Sequence, residues 1–455
     1  MRNPVGEAPR PTTTRPRTDP FCPPITERTS PPVATVAARA GGAASGVRAS
    51  APSASASSAA AGCALASIAA RGASAAGSGA SAPRIQRANA IGRAMTKSRT
   101  SGRARFMLLQ ILSFDARNGR GHNVRRMPAL FPEIDIAAAE ARLRGVVRET
   151  PLAPFPSGDA RIELRLKLEC LQEVNAFKAR GAWNQVAQLT PVQKADGVVC
   201  SSSGNHGQAL AWAAKRAGIH AVIVMPANAY PNKIEACRAH GAEVVLVPTR
   251  ADCDEEVARH VAAGRTLVHP YDAARTIEGA GTTGLELARQ WPEVEVVLVP
   301  VGGGGLVSGI ALAFARVHGY RTKVIGVEPA GAPTLSLGMK AGTPVTPKID
   351  TQVQGLCPPA SGQWNIDVAR ACVDSVMLLD DTAIFAAQAQ LVNDGGWTVE
   401  PAGAAAAAAV FSGRFALESA KLLASRTASN PLRVAAVVSG GNPDPAQLAA
   451  VRARP

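Results

Sequence analysis

The residues able to do chemistry in this chain cluster in a few short stretches. In EVNAFKARGAWNQ, Lys178 stands beside Phe177 among apolar residues. An amine held out of water there has a lowered pKa and suits imine chemistry, although the same letters also suit a surface helix with Lys178 and Arg180 in water. In VPVGGGGLVSG, the glycines Gly302, Gly303, Gly304 and Gly305 follow an apolar run. Glycine costs conformational entropy, so such a run needs a reason. One is a nest of bare N–H groups around an anion, usually phosphate, at a helix start; the plain alternative is a loose turn. A nucleoside-triphosphate loop would need Lys after Gly309, where Ile310 stands, and Val307 and Ser308 occupy the places where a dinucleotide fingerprint needs Gly or Ala.

CSSSGNHGQALAWAAK sets Ser201, Ser202, Ser203, Gly204, Asn205 and His206 between a strand and a helix. Small hydroxyls, a glycine and a helix start suit a carboxylate or phosphate; ordinary capping would explain one serine but hardly the run. His206 by itself reads more readily as a packing or capping residue than as a base. In VVSGGNPDP, Ser439 follows a strand, where its hydroxyl can meet a ring nitrogen or simply close a turn. A lysine, a phosphate nest and a serine-rich anion loop, taken together, point to a phosphorylated carbonyl cofactor bound as an imine, pyridoxal 5′-phosphate.

These stretches need a scaffold. Asp135 can cap a helix with an apolar face of Ile136, Ala139, Leu143, Val146 and Val147. Short apolar runs follow: Val198-Val199, AVIVMP (221–226), EVVLVP (243–248), VVLVP (296–300), KVIGVEP (323–329) and RVAAVVSGGN (433–442). Continuous apolar strands alternating with helix-like stretches predict an α/β fold with parallel sheets covered on both faces. Ligands of such sheets sit at the carboxyl ends of strands, where the serine-rich, tetraglycine and SGGNPD loops fall.

The net charge of +15 invites a nucleic-acid partner, but its distribution argues against one. Residues 1–126 hold 19 Lys/Arg and 4 Asp/Glu, and the remainder holds 30 of each. The basic stretch is rich in Ala, Ser, Arg and Pro and poor in aromatics, so it reads as a disordered leader, a transit peptide or the result of a start placed too far upstream. The last is favoured, because Met127 opens a plausible enzyme N-terminus. No apolar run reaches membrane-spanning length, and eight cysteines without CxxC spacing suit reduced thiols in the cytoplasm.

At these motifs the chain resembles the fold-type II pyridoxal-phosphate enzymes, specifically the serine/threonine dehydratase and serine racemase group. The family's Ser-Phe-Lys-x-Arg-Gly-Ala is similar to Ala176 through Ala182, its Ser-Ser-Gly-Asn-His to Ser202 through His206, its tetraglycine loop to Gly302 through Gly305 and its Ser-Gly-Gly-Asn to Ser439 through Asn442. The resemblance runs from about Ile134 to Asp444. It implies a two-domain, tryptophan-synthase-β-like fold, each domain a parallel sheet flanked by helices. The large domain would take residues 127–196 and 275–445, and the small one 197–274.

Roles follow from the resemblance. Lys178 would bond the cofactor and move the Cα proton, with no second amine placed to replace it. Gly302, Gly303, Gly304 and Gly305 would hold the phosphate, Ser439 would meet the pyridine nitrogen and Asn205 the ring hydroxyl. Phe177, Leu306, Gly355 and Glu400 would complete the cofactor site. Ser202, Ser203, Asn205 and His206 would line the substrate carboxylate site, with Ser203 facing the cofactor opposite Lys178. Metal-binding members hold a cation with residues that correspond to Glu328 and Ala332, but Thr334 stands where they have aspartate, which speaks against a strong site. Ala176, Tyr271 and Gln354 also depart from the group's pattern.

The implied activity is an ammonia-lyase converting a β-hydroxy amino acid such as L-threonine or L-serine to a 2-oxo acid and ammonia. The alternatives are a serine-type racemase and a silent cofactor-binding protein. A neutral serine at the ring nitrogen suits prompt loss of a β-hydroxyl, with the cofactor phosphate as a candidate acid. The expected partners are a small amino-acid substrate and a second copy in a homodimer, without nucleic acid or membrane.

Overall fold

The structure, a computed structural model, describes residues 130–453; the leader assigned to residues 1–126 and the start at Met127 lie outside them. The strands are β1 (Leu152–Phe155), β2 (Ile162–Lys167), β3 (Val198–Ser201), β4 (Ala221–Pro226), β5 (Glu243–Val247), β6 (Thr266–Leu267), β7 (Val296–Pro300), β8 (Lys323–Pro329), β9 (Ser375–Leu379) and β10 (Leu432–Val437). Around the first of them lie α1 (Ile136–Leu143), α2 (Lys178–Val186), α3 (Pro191–Asp196), α4 (Asn205–Ala217), α5 (Pro231–Ala239), α6 (Asp252–Ala262) and α7 (Ala274–Gln290). The later helices are α8 (Gly305–His318), α9 (Thr334–Ala341), α10 (Gln363–Cys372), α11 (Asp381–Asn393), α12 (Pro401–Phe411), α13 (Arg414–Glu418), α14 (Ala420–Leu423) and α15 (Pro445–Arg452).

Six strands form one sheet in the order β1-β2-β10-β7-β8-β9, and four form another in the order β5-β4-β3-β6. The apolar runs read as continuous because both faces are buried. Along β7, Val296 and Leu298 enter one core while Val297 and Val299 enter the core on the other face. Along β4, Ala221, Ile223 and Met225 likewise part from Val222 and Val224.

Every pairing is parallel except that of β1 with β2. The expectation of purely parallel sheets is corrected there. Residues 156–161 are too short for a crossover, so the chain can only turn back antiparallel. Pro154 is tolerated because β1 is an edge strand. The first helix also stops sooner than its apolar pattern suggests. Gly145 lies at φ +73°, and the Val146 and Val147 amides donate to Leu143 O in the turn that follows.

The helix carrying Lys178 is deeply embedded. An added Cβ on Gly279 of α7 would lie 2.6 Å from Arg180 O and 2.7 Å from Gly181 Cα, so only glycine lets α7 approach α2 this closely. Further along α2, Ala182 and Val186 pack into the core of the four-stranded sheet. Among the described residues no helix is long and apolar enough to cross a membrane, and Cys170, Cys200, Cys237, Cys253, Cys357 and Cys372 are free thiols.

Candidate active site

The loops after β3, β7 and β10 open into one cavity of about 770 Å³. It is lined by Phe177, Lys178, Ser202, Ser203, Asn205, His206, Gly302 through Leu306, Gly355, Glu400 and Ser439, which brings together every expected cofactor and substrate residue. Glu328 and Ala332 do not line it.

Lys178 opens α2, and its Nζ donates to Pro270 O at 2.6 Å while lying 5.1 Å from the Phe177 ring centroid. Burial pulls the amine's pKa down to about 8. The surface-helix alternative is therefore set aside, and the buried polar cluster behind the helix shows why. Two residues beyond Lys178, Arg180 is 2 % exposed and forms a bidentate pair with the fully buried Glu169, at 2.7 and 2.8 Å. Glu286 lies 2.9 Å from Arg180 and also pairs with buried Lys167. Two cations and two carboxylates balance, and the helix is held through its own guanidinium. On the other side, the Phe177 amide donates to Ser439 O at 3.1 Å, tying the lysine to the β10 loop.

Two helix N-termini face the cavity. The first is that of α8, whose N-cap Gly304 has φ +95°, a left-handed conformation that favours glycine. Buried Asn365 steadies the loop by donating to Gly303 O at 2.7 Å and to Tyr271 O at 3.1 Å. The second is that of α4, entered through Gly204, whose amide donates to Ser202 Oγ at 3.3 Å. The first amides of each helix have no intrahelical acceptor, so each end suits an anion. A glycine nest, a desolvated amine and a second anion site in one cavity fit pyridoxal phosphate and an amino acid carboxylate.

The remaining residues divide by what they touch. Ser439 is 5 % exposed and donates to Ala402 O at 3.4 Å. Among the described residues the Ser203 hydroxyl makes no hydrogen bond. His206 is buried with its Nε2 2.9 Å from Val268 O, and burial lowers its pKa to about 3. Its ring is therefore a neutral packing group. Glu400 accepts a hydrogen bond from the Asn205 side-chain amide. Glu328 is fully buried and caps α9, accepting from Leu335 N at 2.6 Å and Ser336 N at 3.0 Å. Thr334 Oγ1 lies 3.5 Å from Glu328 and 3.0 Å from Ser361 Oγ. Gln354 donates to the Tyr230 hydroxyl at 2.8 Å, joining two lining residues.

A second lysine, Lys233, also lines this cavity, with its Nζ engaged by Asn442 O. It follows AVIVMP at the carboxyl end of β4, a place where the strand-end rule could have drawn attention to it. Arg250, Tyr230, Thr351 and Phe385 are further lining residues that carry no motif.

Comparison with known proteins agrees with this geometry. The family model described as "Pyridoxal-phosphate dependent enzyme" matches residues 143–440. Serine racemase of Oryza sativa subsp. indica is 37% identical over 314 residues, 68% of this chain and 90% of that protein. L-threonine ammonia-lyase of Thermotoga maritima is 35% identical over 318 residues, 68% of this chain and 75% of that protein. The structure of maize serine racemase matches with a TM-score of 0.64 and 37% identity, covering 69% of this chain and 94% of that one. With its lysine, glycine nest and strand-end loops gathered in one cavity, the chain belongs to the pyridoxal-phosphate-dependent enzymes of fold type II.

Proposed function

We propose that the protein is an ammonia-lyase that converts a β-hydroxy amino acid, such as L-threonine or L-serine, to a 2-oxo acid and ammonia. Bound pyridoxal phosphate supplies an electron sink conjugated to the substrate's Cα. In this reading the Gly302–Gly305 amides and the α8 N-terminus hold its phosphate, Asn205 meets its ring oxygen and Ser439 its ring nitrogen. The α4 N-terminus with Ser202 receives the substrate carboxylate. Lys178 takes the Cα proton, the β-hydroxyl leaves with a proton as water, and hydrolysis of the resulting enamine consumes one water and releases the 2-oxo acid and ammonia.

The observation that carries the lyase reading is the asymmetry between the two candidate proton-handling groups. Burial lowers the pKa of the Lys178 amine to about 8 and the residue lines the cavity, while the Ser203 hydroxyl has no protein partner among the described residues that would activate it as an acid or base. Racemisation needs a proton donor on each face; elimination from an L-amino acid needs only the lysine. A serine-type racemase is the second reading, favoured by the rice and maize relatives. A silent cofactor-binding protein is the least economical, given the desolvated amine of Lys178.

The same proposal takes the protein to be a cytoplasmic homodimer, with residues 127–196 and 275–445 as a large domain and 197–274 as a small one. The test is a panel of L- and D-β-hydroxy amino acids scored for 2-oxo acid release and for inversion at Cα. Release from L-substrates with slow inversion is expected. Inversion faster than release would establish the racemase instead.

A further inference from the structure

Lys233 is a cavity-lining residue for which this reading has no task. It sits in the first turn of α5, beside the four-stranded sheet, and is 8 % exposed. A buried ammonium is costly unless it is paired and hydrogen-bonded. Both of its partners come from outside the four-stranded sheet, Asn442 from the loop after β10, an inner strand of the six-stranded sheet, and Glu400 from the start of α12. Lys233 Nζ donates to Asn442 O and lies 3.8 Å from Glu400 Oε2.

Those two partners share a second target. Glu400 Oε1 accepts from Asn205 Nδ2, and Asn442 Nδ2 donates to Asn205 Oδ1 at 3.0 Å. Asn442 is itself fixed, donating to Val174 O at 2.8 Å and accepting from Asn175 Nδ2 at 3.3 Å. A carboxylate facing one end of an amide and an N–H facing the other leave it one orientation. One Nδ2 proton of Asn205 then has no acceptor among the described residues, and Asn205 lines the cavity.

We propose that Lys233 is a positioning residue which, through Glu400 and Asn442, fixes the Asn205 amide so that its remaining N–H serves the cofactor's ring oxygen. The proposal rests on the placement of Asn205 at that oxygen. Burial raises the Glu400 carboxyl, and the Lys233 ammonium and the Asn205 amide oppose that shift. Without Lys233, a protonated Glu400 donates as well as accepts. The Asn205 amide is then held in its sense by Asn442 alone and turns its carbonyl, which repels the ring oxygen, more readily toward the cavity.

The test compares Lys233→Met, Lys233→Arg, Glu400→Gln, Asn205→Ala and the double variant Lys233→Met/Asn205→Ala. Readouts are the visible absorption maximum of the holoenzyme, cofactor affinity by fluorescence titration and melting temperature. Lys233→Met is expected to shift the absorption maximum and weaken cofactor binding about ten- to hundredfold, as for loss of a charge-assisted hydrogen bond. Glu400→Gln, which preserves shape, should reproduce the shift, and Lys233→Arg should recover part of it. The double variant should bind no worse than Asn205→Ala alone. Multiplying losses in the double variant would overturn the proposal. So would a Lys233→Met or Glu400→Gln protein with wild-type absorption and affinity, whatever its melting temperature. Unchanged cofactor binding in Asn205→Ala would instead refute the placement of Asn205, and the proposal with it.

Discussion

Lys178 Nζ donates to Pro270 O at 2.6 Å, so the amine is held by a backbone carbonyl rather than by a carboxylate. A carboxylate would stabilise the ammonium and raise its pKa; a neutral carbonyl beside a buried amine leaves desolvation dominant, with the pKa near 8. In cofactor-free protein the rate of cofactor capture should therefore rise about tenfold per pH unit below 8 and level off above it, following the neutral amine. Stopped-flow absorption measures this. Lys178→Ala should lose both the visible absorption of the lysine-bound cofactor and turnover, and capture by Lys233 instead would appear as recovered absorption in that variant.

Gly304 should be intolerant of any side chain. Its φ of +95° is strained for other residues, and an added Cβ would lie 2.8 Å from the Asn365 Cβ. Gly304→Ala is expected to cost about 1–3 kcal/mol from the backbone alone. Gly304→Asp adds a negative charge beside the proposed phosphate site and should weaken cofactor binding more than tenfold. Equilibrium titration of the cofactor distinguishes the two.

Arg180→Met should be severely destabilising, by about 3–5 kcal/mol, because it strips Glu169 of its bidentate partner in the interior and leaves Lys167 as the one cation for two buried carboxylates. Denaturant unfolding measures the loss, and replacing Glu169 by Leu in the same chain should restore part of it. The acid limb of stability follows from the same pair. Burial works to raise the Glu169 carboxyl, but the Arg180 guanidinium outweighs it and holds the pKa below the ordinary carboxylate value. A carboxyl lowered in the folded state stabilises the fold above its unfolded pKa, and that contribution is lost as pH falls through the folded value. Wild-type stability should thus decline at pH below the ordinary carboxylate range, and Arg180→Met should lose that part of the dependence.

Ser203→Ala separates the two activities. If Ser203 serves the face opposite Lys178, the variant should lose racemisation and dehydration of D-substrates, with L-substrate dehydration falling by no more than about 10²-fold. Chiral chromatography alongside oxo-acid release reads both. Racemisation at the wild-type rate would remove Ser203 from that role, and equal losses in both activities would make it a carboxylate anchor.

Much of the catalytic apparatus was legible in the sequence because its information is local. A strand end, a glycine run and a helix start lie within a dozen residues of one another, and bare N–H groups at a strand's carboxyl end are a local pattern that suits an anion. The central strands were equally plain, since burial on both faces makes β4 and β7 apolar without interruption and β10 apolar from Val434 onward. Strands β1 and β9 escaped notice because they are sheet edges, where exposed positions break the apolar run, β2 because Glu163, Arg165 and the buried Lys167 interrupt it, and β6 because it is two residues long. Only the tertiary structure decided the rest. Glu400 reaches Asn205 across 195 residues and Lys233 reaches Asn442 across 209, and no spacing in the chain encodes such a meeting. Arg180 read as a solvated charge until Glu169 and Glu286 were seen to enclose it. A charged side chain's letter does not say whether it is buried; that depends on which partners the packing of distant elements brings within reach.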